Sequence, residues 1–247
     1  MGFLSVLGMA QRLVKERAAP GGAVIDATCG NGVDTQFLAG LVGPRGAVYA
    51  FDIQEAALER TRARLAALEL GGAGWRRNAS LTDGEAPGVG ETRNAAEPGA
   101  AASEVGRAPQ RGGREAANGG PLRLVHASHA EMDKHVSDAH RGMIDAVMFN
   151  LGYLPGANRD QAVITEPAST IAALKLAMTL LRPGGIVTAV LYPGHPGGLE
   201  EAEAVAAWAS ALPQVEGQAM LYRLVQKPEA PYLIAIEKKS AAAKPLI

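Results

Sequence analysis

Two hydrophobic periods alternate along this chain. An apolar pair, Val24 and Ile25, ends in Asp26. A turn with Gly30 and Gly32 follows, then an amphipathic stretch carrying Phe37, Leu38 and Leu41. A β-rich run from Val48 to Phe51 ends in Asp52, and residues 54–68 set Ala and Leu among charges at helical spacing. Further on, the pattern predicts strands at Leu122–His126 and Asp145–Phe149, and a helix from about Pro167 to Leu181. Pro183-Gly184-Gly185 stops that helix and opens a strand from Ile186 to Leu191. Glu200–Ala211 reads as another helix. Gln218–Val225 and Pro231–Glu237, separated by Lys227-Pro228-Glu229, read as an antiparallel hairpin. The apolar positions Phe3, Leu4, Val6 and Leu7 open a first helix through Arg17, expected to cover one edge of the sheet. Strand and helix alternate, so the fold class is α/β. We expect one Rossmann-like domain over residues 1–247, with a seven-stranded, mostly parallel sheet and a C-terminal hairpin.

One stretch breaks the pattern. Residues 72–120 are rich in Gly, Ala, Glu, Arg and Pro and nearly devoid of large apolar side chains. Such a segment cannot bury enough surface to offset its ordering entropy. It reads as a disordered, low-complexity insertion in a smaller core, and the glutamates among Arg93, Arg107, Arg111 and Arg114 cancel most of its positive charge.

Strand, glycine turn, helix and a second strand ending in a carboxylate is how a doubly wound sheet grips a nucleoside. The glycines let backbone approach the ligand, and Asp52 is placed to accept hydrogen bonds from ribose hydroxyls. A dinucleotide site normally has a third glycine, but here Thr35 takes that position. Asp26 and Asp34 flank the turn. Negative charge there repels a pyrophosphate and attracts the ammonium and sulfonium of S-adenosylmethionine. The electrostatics favour S-adenosylmethionine, with Gln54 beside Asp52 and with Asp26, Gly30, Asn31, Gly32, Asp34 and Thr35 around the turn.

The run from Asp26 to Thr35 resembles that of the MnmM (YtqB-like) class I methyltransferases, a family also labelled rRNA methylases. So do Phe51–Gln54, Ser128-His129, Asn150–Gly156 and Tyr192–Gly198, in that order along nearly the whole chain outside about 72–120. The resemblance implies methylation of the aminomethyl group of a tRNA wobble uridine, giving 5-methylaminomethyl-(2-thio)uridine. Its implied partner is the anticodon stem-loop of tRNA. An rRNA or small-molecule amine methyltransferase, and a binding module without catalysis, stay open as alternatives. So does a homodimer.

An amine nucleophile must be neutral, and its lone pair must point at the methyl carbon. Asn150, ending the fourth predicted strand, can accept a hydrogen bond from the attacking N–H, although an amide is no base. Tyr153 can stack on the uracil. The Asn150–Gly156 loop resembles the Asn-Pro-Pro-Tyr motif of amino-group methyltransferases but carries Leu151-Gly152 in its middle. His195, in a Pro-Gly turn, can take a proton near neutral pH. Ser128 and His129, at the end of the third predicted strand, are candidate adenine or ribose neighbours.

Composition narrows the picture further. The chain has 247 residues, 47% of them hydrophobic, enough for a full α/β core. Its single cysteine, Cys29, excludes an internal disulfide framework and fits a reducing cytoplasm. His126, His129, His135 and His140 match no structural zinc spacing, so no metal is expected. No apolar run reaches the roughly 18–20 residues of a membrane span, and no secretory leader is evident. The net charge of −1 leaves any RNA contact to local patches such as Arg12, Lys15 and Arg17, Arg159, or Arg223 with Lys227.

Overall fold

The computed structural model describes residues 2–69, 80–83, 122–152 and 167–240. Expectations for Tyr153, Gly156 and Arg159, and for most of the 72–120 insertion, lie outside the described residues.

The described strands are β1 (Ala23–Asp26), β2 (Ala47–Asp52), β3 (Ser80–Asp83), β4 (Leu122–His126), β5 (Ile144–Leu151), β6 (Leu181–Leu191), β7 (Gly217–Tyr222) and β8 (Tyr232–Lys238). The α-helices are α1 (Val6–Lys15), α2 (Val33–Val42), α3 (Glu55–Glu69), α4 (Met132–His135), α5 (Pro167–Leu180) and α6 (Gly198–Ala211). The strands form one sheet in the order β3-β4-β2-β1-β5-β6-β8-β7. All neighbours run parallel except β8, which is antiparallel to both β6 and β7.

Side chains of the central strands alternate between two apolar layers, as a period of two requires. Ile25, Tyr49, Phe51, Val147 and Phe149 face one layer, completed by Ala173, Leu174 and Ala177 of α5 and Val205 of α6. Val24, Val48, Ala50, Ala146 and Met148 face the other, with Ala10 and Val14 of α1, Leu38 and Val42 of α2, and Leu58 of α3. Strands covered on both faces read as continuous apolar runs, which is why they were conspicuous in the sequence.

All seven strands expected from the sequence are present. An eighth, β3, lies within the range read as insertion and pairs with β4 from Ser80↔Arg123 to Asp83↔His126. Its four residues include a single large apolar side chain, too weak a pattern to mark a strand whose partner lies some forty residues away. The first helix also differs from expectation. It ends at Lys15 and lies on the sheet face over β5, β6 and β8 rather than along an edge. Its buried Ala10 and Val14 pack in the same layer as Ile186, Val190, Leu233 and Ala235, while Arg17 beyond its end pairs with Glu237 of β8 at 2.8 Å. Strand β6 begins at Leu181, opposite Ile144, and regular pairing resumes at Ile186. In the interruption Gly184 adopts φ +73° and Arg182 reaches Asp145 at 2.5 Å. The sequence break at Pro183-Gly184-Gly185 is thus a bulge inside the strand, not a loop before it.

Strand order reverses between β1 and β5, since β2 follows β1 outward on one side and β6 follows β5 on the other. Open parallel sheets bind ligands outside the carboxyl ends of the strands at such a switch point. Asp26 ends β1 and Asn150 lies near the end of β5. Among the described residues, no helix is long and apolar enough to cross a membrane.

Candidate active site

The turn after β1 is held from below and from both sides. Asp26 is buried, and its carboxylate accepts hydrogen bonds from the Thr28 amide at 3.2 Å and the Thr35 hydroxyl at 2.6 Å. The Cys29 amide donates to the Phe51 carbonyl of β2. Gly32 precedes α2 with φ +75°, a conformation that disfavours any side chain. A Cβ there would also sit 2.9 Å from the Cα of Thr61 on α3, so the turn is pressed directly against that helix. Thr35 therefore serves as a hydrogen-bonding post under the turn, a role a third glycine could not fill.

Asp34, in the first turn of α2, is buried too and accepts a hydrogen bond from the Gln11 amide of α1 at 3.2 Å. Burial pushes both carboxyls above the ordinary carboxylate range, and the nearby Asp34 charge adds to the rise at Asp26, which reaches about 7. Among the described residues, no Lys or Arg is ion-paired with either. Two buried acids without a counter-charge make a place that is unfavourable when empty and favourable for a cation.

At the end of β2, Asp52 accepts from the amides of Gly30 and Gln54, both at 2.9 Å. Burial raises its pKa, and these backbone donors and His126 partly counter the rise. The glycine turn and the acid of the second strand are thus joined by a hydrogen bond.

The fourth wall comes from β5 and β6. The Asn150 amide donates to the Thr28 hydroxyl at 2.7 Å, which ties Asn150 to the turn two residues past Asp26. Tyr192 follows directly beyond β6, two residues past Val190, the parallel partner of Asn150, and its ring stacks with His195 at 5.7 Å between centroids. Asp26, Asp34, Asn150 and His195 are therefore brought together around one mouth. Tyr192, Gln11, Thr28 and Thr61 belong to the same assembly without having been singled out as site residues. Tyr192 had a signal, since it opens the Tyr192–Gly198 motif. Gln11 had none, because a contact between α1 and α2 leaves no trace in local pattern.

Three expected cofactor contacts are drawn into the protein's own structure. The Asn31 side chain meets Arg60 at 3.5 Å and its carbonyl accepts from Arg64 at 2.6 Å, so the residue is drawn toward α3. Ser128 caps a short helical turn by accepting from the Ala130 amide at 3.2 Å. His129 is buried edge-on against Phe149, and burial lowers its pKa. His129 thus belongs to the core. The other histidines are dispersed, His126 on the Ile53 carbonyl, His135 against Phe51 and His140 on the Tyr49 hydroxyl. Among the described residues, no three His, Cys, Asp or Glu side chains converge on a metal position. A groove of about 510 Å³ between α6 and the hairpin, lined by Ala206, Leu212, Met220 and Ile234 among others, lies away from these strand ends and gathers no acid or histidine.

The acid pair makes a testable prediction about pH. A carboxyl whose folded pKa lies above its unfolded value stabilises the fold at low pH, and that contribution is lost as pH rises through the folded pKa. Asp26→Asn should therefore flatten the fall in thermal stability of the ligand-free protein between about pH 4 and pH 7. A wild-type slope retained in the variant, measured by thermal unfolding across that range, would show that Asp26 does not carry the strain.

Comparison with known proteins places this geometry. A family model described as "Putative rRNA methylase" matches residues 106–237, and a methyltransferase-domain model matches residues 18–74. A curated relative from Arabidopsis thaliana, "tRNA (mnm(5)s(2)U34)-methyltransferase, chloroplastic", is 34% identical over 89% of this chain, which spans 64% of that protein's length. A crystal structure from Clostridium thermocellum, described as an rRNA-methylase, is 31% identical over 96% of this chain and all of that one, with a TM-score of 0.70. SMU.1697c of Streptococcus mutans, a methyltransferase solved with S-adenosylhomocysteine, is 28% identical over 96% of this chain and 99% of that one, with a TM-score of 0.66.

Proposed function

Because the chain belongs to the rRNA methylase family, whose model matches more than half of it, we propose that it methylates an amine of tRNA using S-adenosylmethionine. The substrate in this reading is the aminomethyl group of wobble 5-aminomethyl-(2-thio)uridine, and the product is 5-methylaminomethyl-(2-thio)uridine. The name of the Arabidopsis relative supports the substrate, and the site supports the reaction type. One observation carries it. The Asn150 amide is bonded to Thr28, which sets a carboxamide at the lip of an acid-lined turn.

The residues fit the cofactor. Asp26 and Asp34, which no Lys or Arg among the described residues pairs with, offer carboxyl oxygens to a ligand with cationic groups, and Asp52 offers acceptors suited to a ribose diol. Gly30 and Gly32 leave two positions of the turn without side chains. When bound, S-adenosylmethionine supplies a methyl group on a good sulfonium leaving group. What remains for the protein is position and protonation. Asn150 accepts a hydrogen bond from the substrate N–H and aims the lone pair. Tyr153 stacks on the uracil, and His195 takes up the proton lost from nitrogen. Asp34 and Asp26 hold the cationic end of the cofactor, while Gln11 keeps Asp34 in place.

Ribosomal RNA is the second reading, favoured by the description of the matching family model. Purified protein, S-adenosylmethionine and tRNA bearing 5-aminomethyl-(2-thio)uridine decide between them. Nucleoside mass spectrometry should find one added methyl on that nucleoside, and the same nucleoside should lose it in a strain lacking the gene. Loss of a methyl from rRNA with tRNA unchanged would overturn the tRNA assignment.

A further inference from the structure

Helix α3 holds the glycine turn from outside. Thr61 and Arg64, three residues apart, share one face of that helix. Thr61 is buried, and its hydroxyl donates to the Gly30 carbonyl at 3.3 Å. Cys29 Sγ lies 3.5 Å from the same hydroxyl, but burial pushes that thiol up, so it stays protonated and is the weaker acceptor. Arg64 Nε donates to the Asn31 carbonyl at 2.6 Å, and its guanidinium also reaches Gln36 Oε1 at 3.2 Å. Two successive carbonyls of the turn are thus fixed on α3, while the Gly32 amide closes the turn on the Cys29 carbonyl at 2.7 Å. The start of the same helix is tied to the acid of β2. Gln54 immediately precedes α3, and its amide donates to Asp52 Oδ1, while the Gly30 amide donates to Asp52 Oδ2. Asp52, α3, Thr61 and Gly30 therefore form a closed ring, part covalent chain and part hydrogen bonds.

Resting on the methyl-transfer reading above, we propose that Thr61 and Arg64 are positioning residues that lock the glycine turn to α3 and, through the Gly30 amide, aim the Asp52 carboxylate at the ribose hydroxyls of S-adenosylmethionine. A carboxylate free to turn about its last bond presents its acceptors in many orientations. With one oxygen on Gly30 and the other on Gln54, Asp52 presents them in one. Gly30 keeps that grip only while its own carbonyl is held, because a glycine at φ +51° has many other conformations open to it. Asn31 is then the handle by which Arg64 holds the far side of the turn.

Thr61→Val deletes the hydroxyl at nearly constant volume, whereas Thr61→Ser keeps the hydroxyl and loses a methyl group. S-adenosylmethionine affinity, measured by calorimetry, should fall roughly three- to tenfold in Thr61→Val, the size of one lost hydrogen bond, and stay within about two-fold of wild type in Thr61→Ser. A side chain needed only for its bulk would give the reverse order. Because Thr61 works through Asp52, the losses should not multiply, and Thr61→Val/Asp52→Ala should bind within about two-fold of Asp52→Ala alone. Arg64→Ala should weaken binding about three-fold or more relative to wild type, by the same ratio at about 0.05 M and about 0.5 M salt, since what it loses is a hydrogen bond to a carbonyl and not a long-range charge. Wild-type affinity in Thr61→Val, an equal loss in Thr61→Ser, multiplied losses with Asp52→Ala, or a loss in Arg64→Ala that salt abolishes would each overturn the proposal. None of these measurements needs tRNA, so a wild-type protein inactive on tRNA whose variants bind as expected overturns only the tRNA assignment. Should Thr61→Val fail to fold, Arg64→Ala, which changes an exposed side chain, decides the matter.

Discussion

Asn150→Ala should lower kcat by roughly a hundredfold or more while leaving S-adenosylmethionine affinity within about three-fold. The separation follows from the role proposed for the side chain. A hydrogen bond that aims the attacking nitrogen is made chiefly in the transition state, so its loss appears in kcat and hardly in ground-state binding. The backbone of residue 150 is unaffected, because its amide donates to Thr28 whatever side chain it carries. Single-turnover methylation of tRNA, with cofactor binding measured by calorimetry, provides both numbers. A wild-type rate in the variant would mean that Asn150 serves the turn alone and that another group orients the amine.

The second large effect is on the cofactor. Asp52→Ala should weaken S-adenosylmethionine binding at least about tenfold, since each charge-assisted hydrogen bond to a ribose hydroxyl is worth about 1.5–3 kcal/mol and 1.4 kcal/mol is tenfold. The same change removes the acceptor for the Gly30 and Gln54 amides, so part of the loss would come from a loosened turn. Asp52→Asn separates the two. It keeps an acceptor oxygen for one backbone donor but loses the charge, and should fall between wild type and alanine in affinity. Calorimetry that finds unchanged affinity in Asp52→Ala, or tighter binding of NAD than of S-adenosylmethionine to wild type, would sink the cofactor assignment.

The sequence by itself determined the α/β class, the seven core strands, the hairpin and the acid-ended second strand. Buried parallel strands must be apolar on both faces, and Val24-Ile25, Val48–Phe51 and Ala146–Phe149 announce this in consecutive residues. The places of Asp26, Asp52 and Asn150 at or near the carboxyl ends of their strands were legible as well, because strand ends are local features. What crosses between elements was decided only in three dimensions. The backbone pairing of Ser80–Asp83 with β4 leaves little mark on four short residues, and α1 could be assigned to a face only once Ala10 and Val14 met Val190 and Leu233. His129 looked available beside Ser128 and is instead buried on Phe149. Asn31 is drawn aside by Arg60 and Arg64 from a helix about thirty residues away. Gln11 on Asp34 and Asn150 on Thr28 join parts of the chain that share no sequence period. Period and composition record which face of an element is buried; they carry no record of which polar atom on another element it will meet, since that depends on packing the layers together.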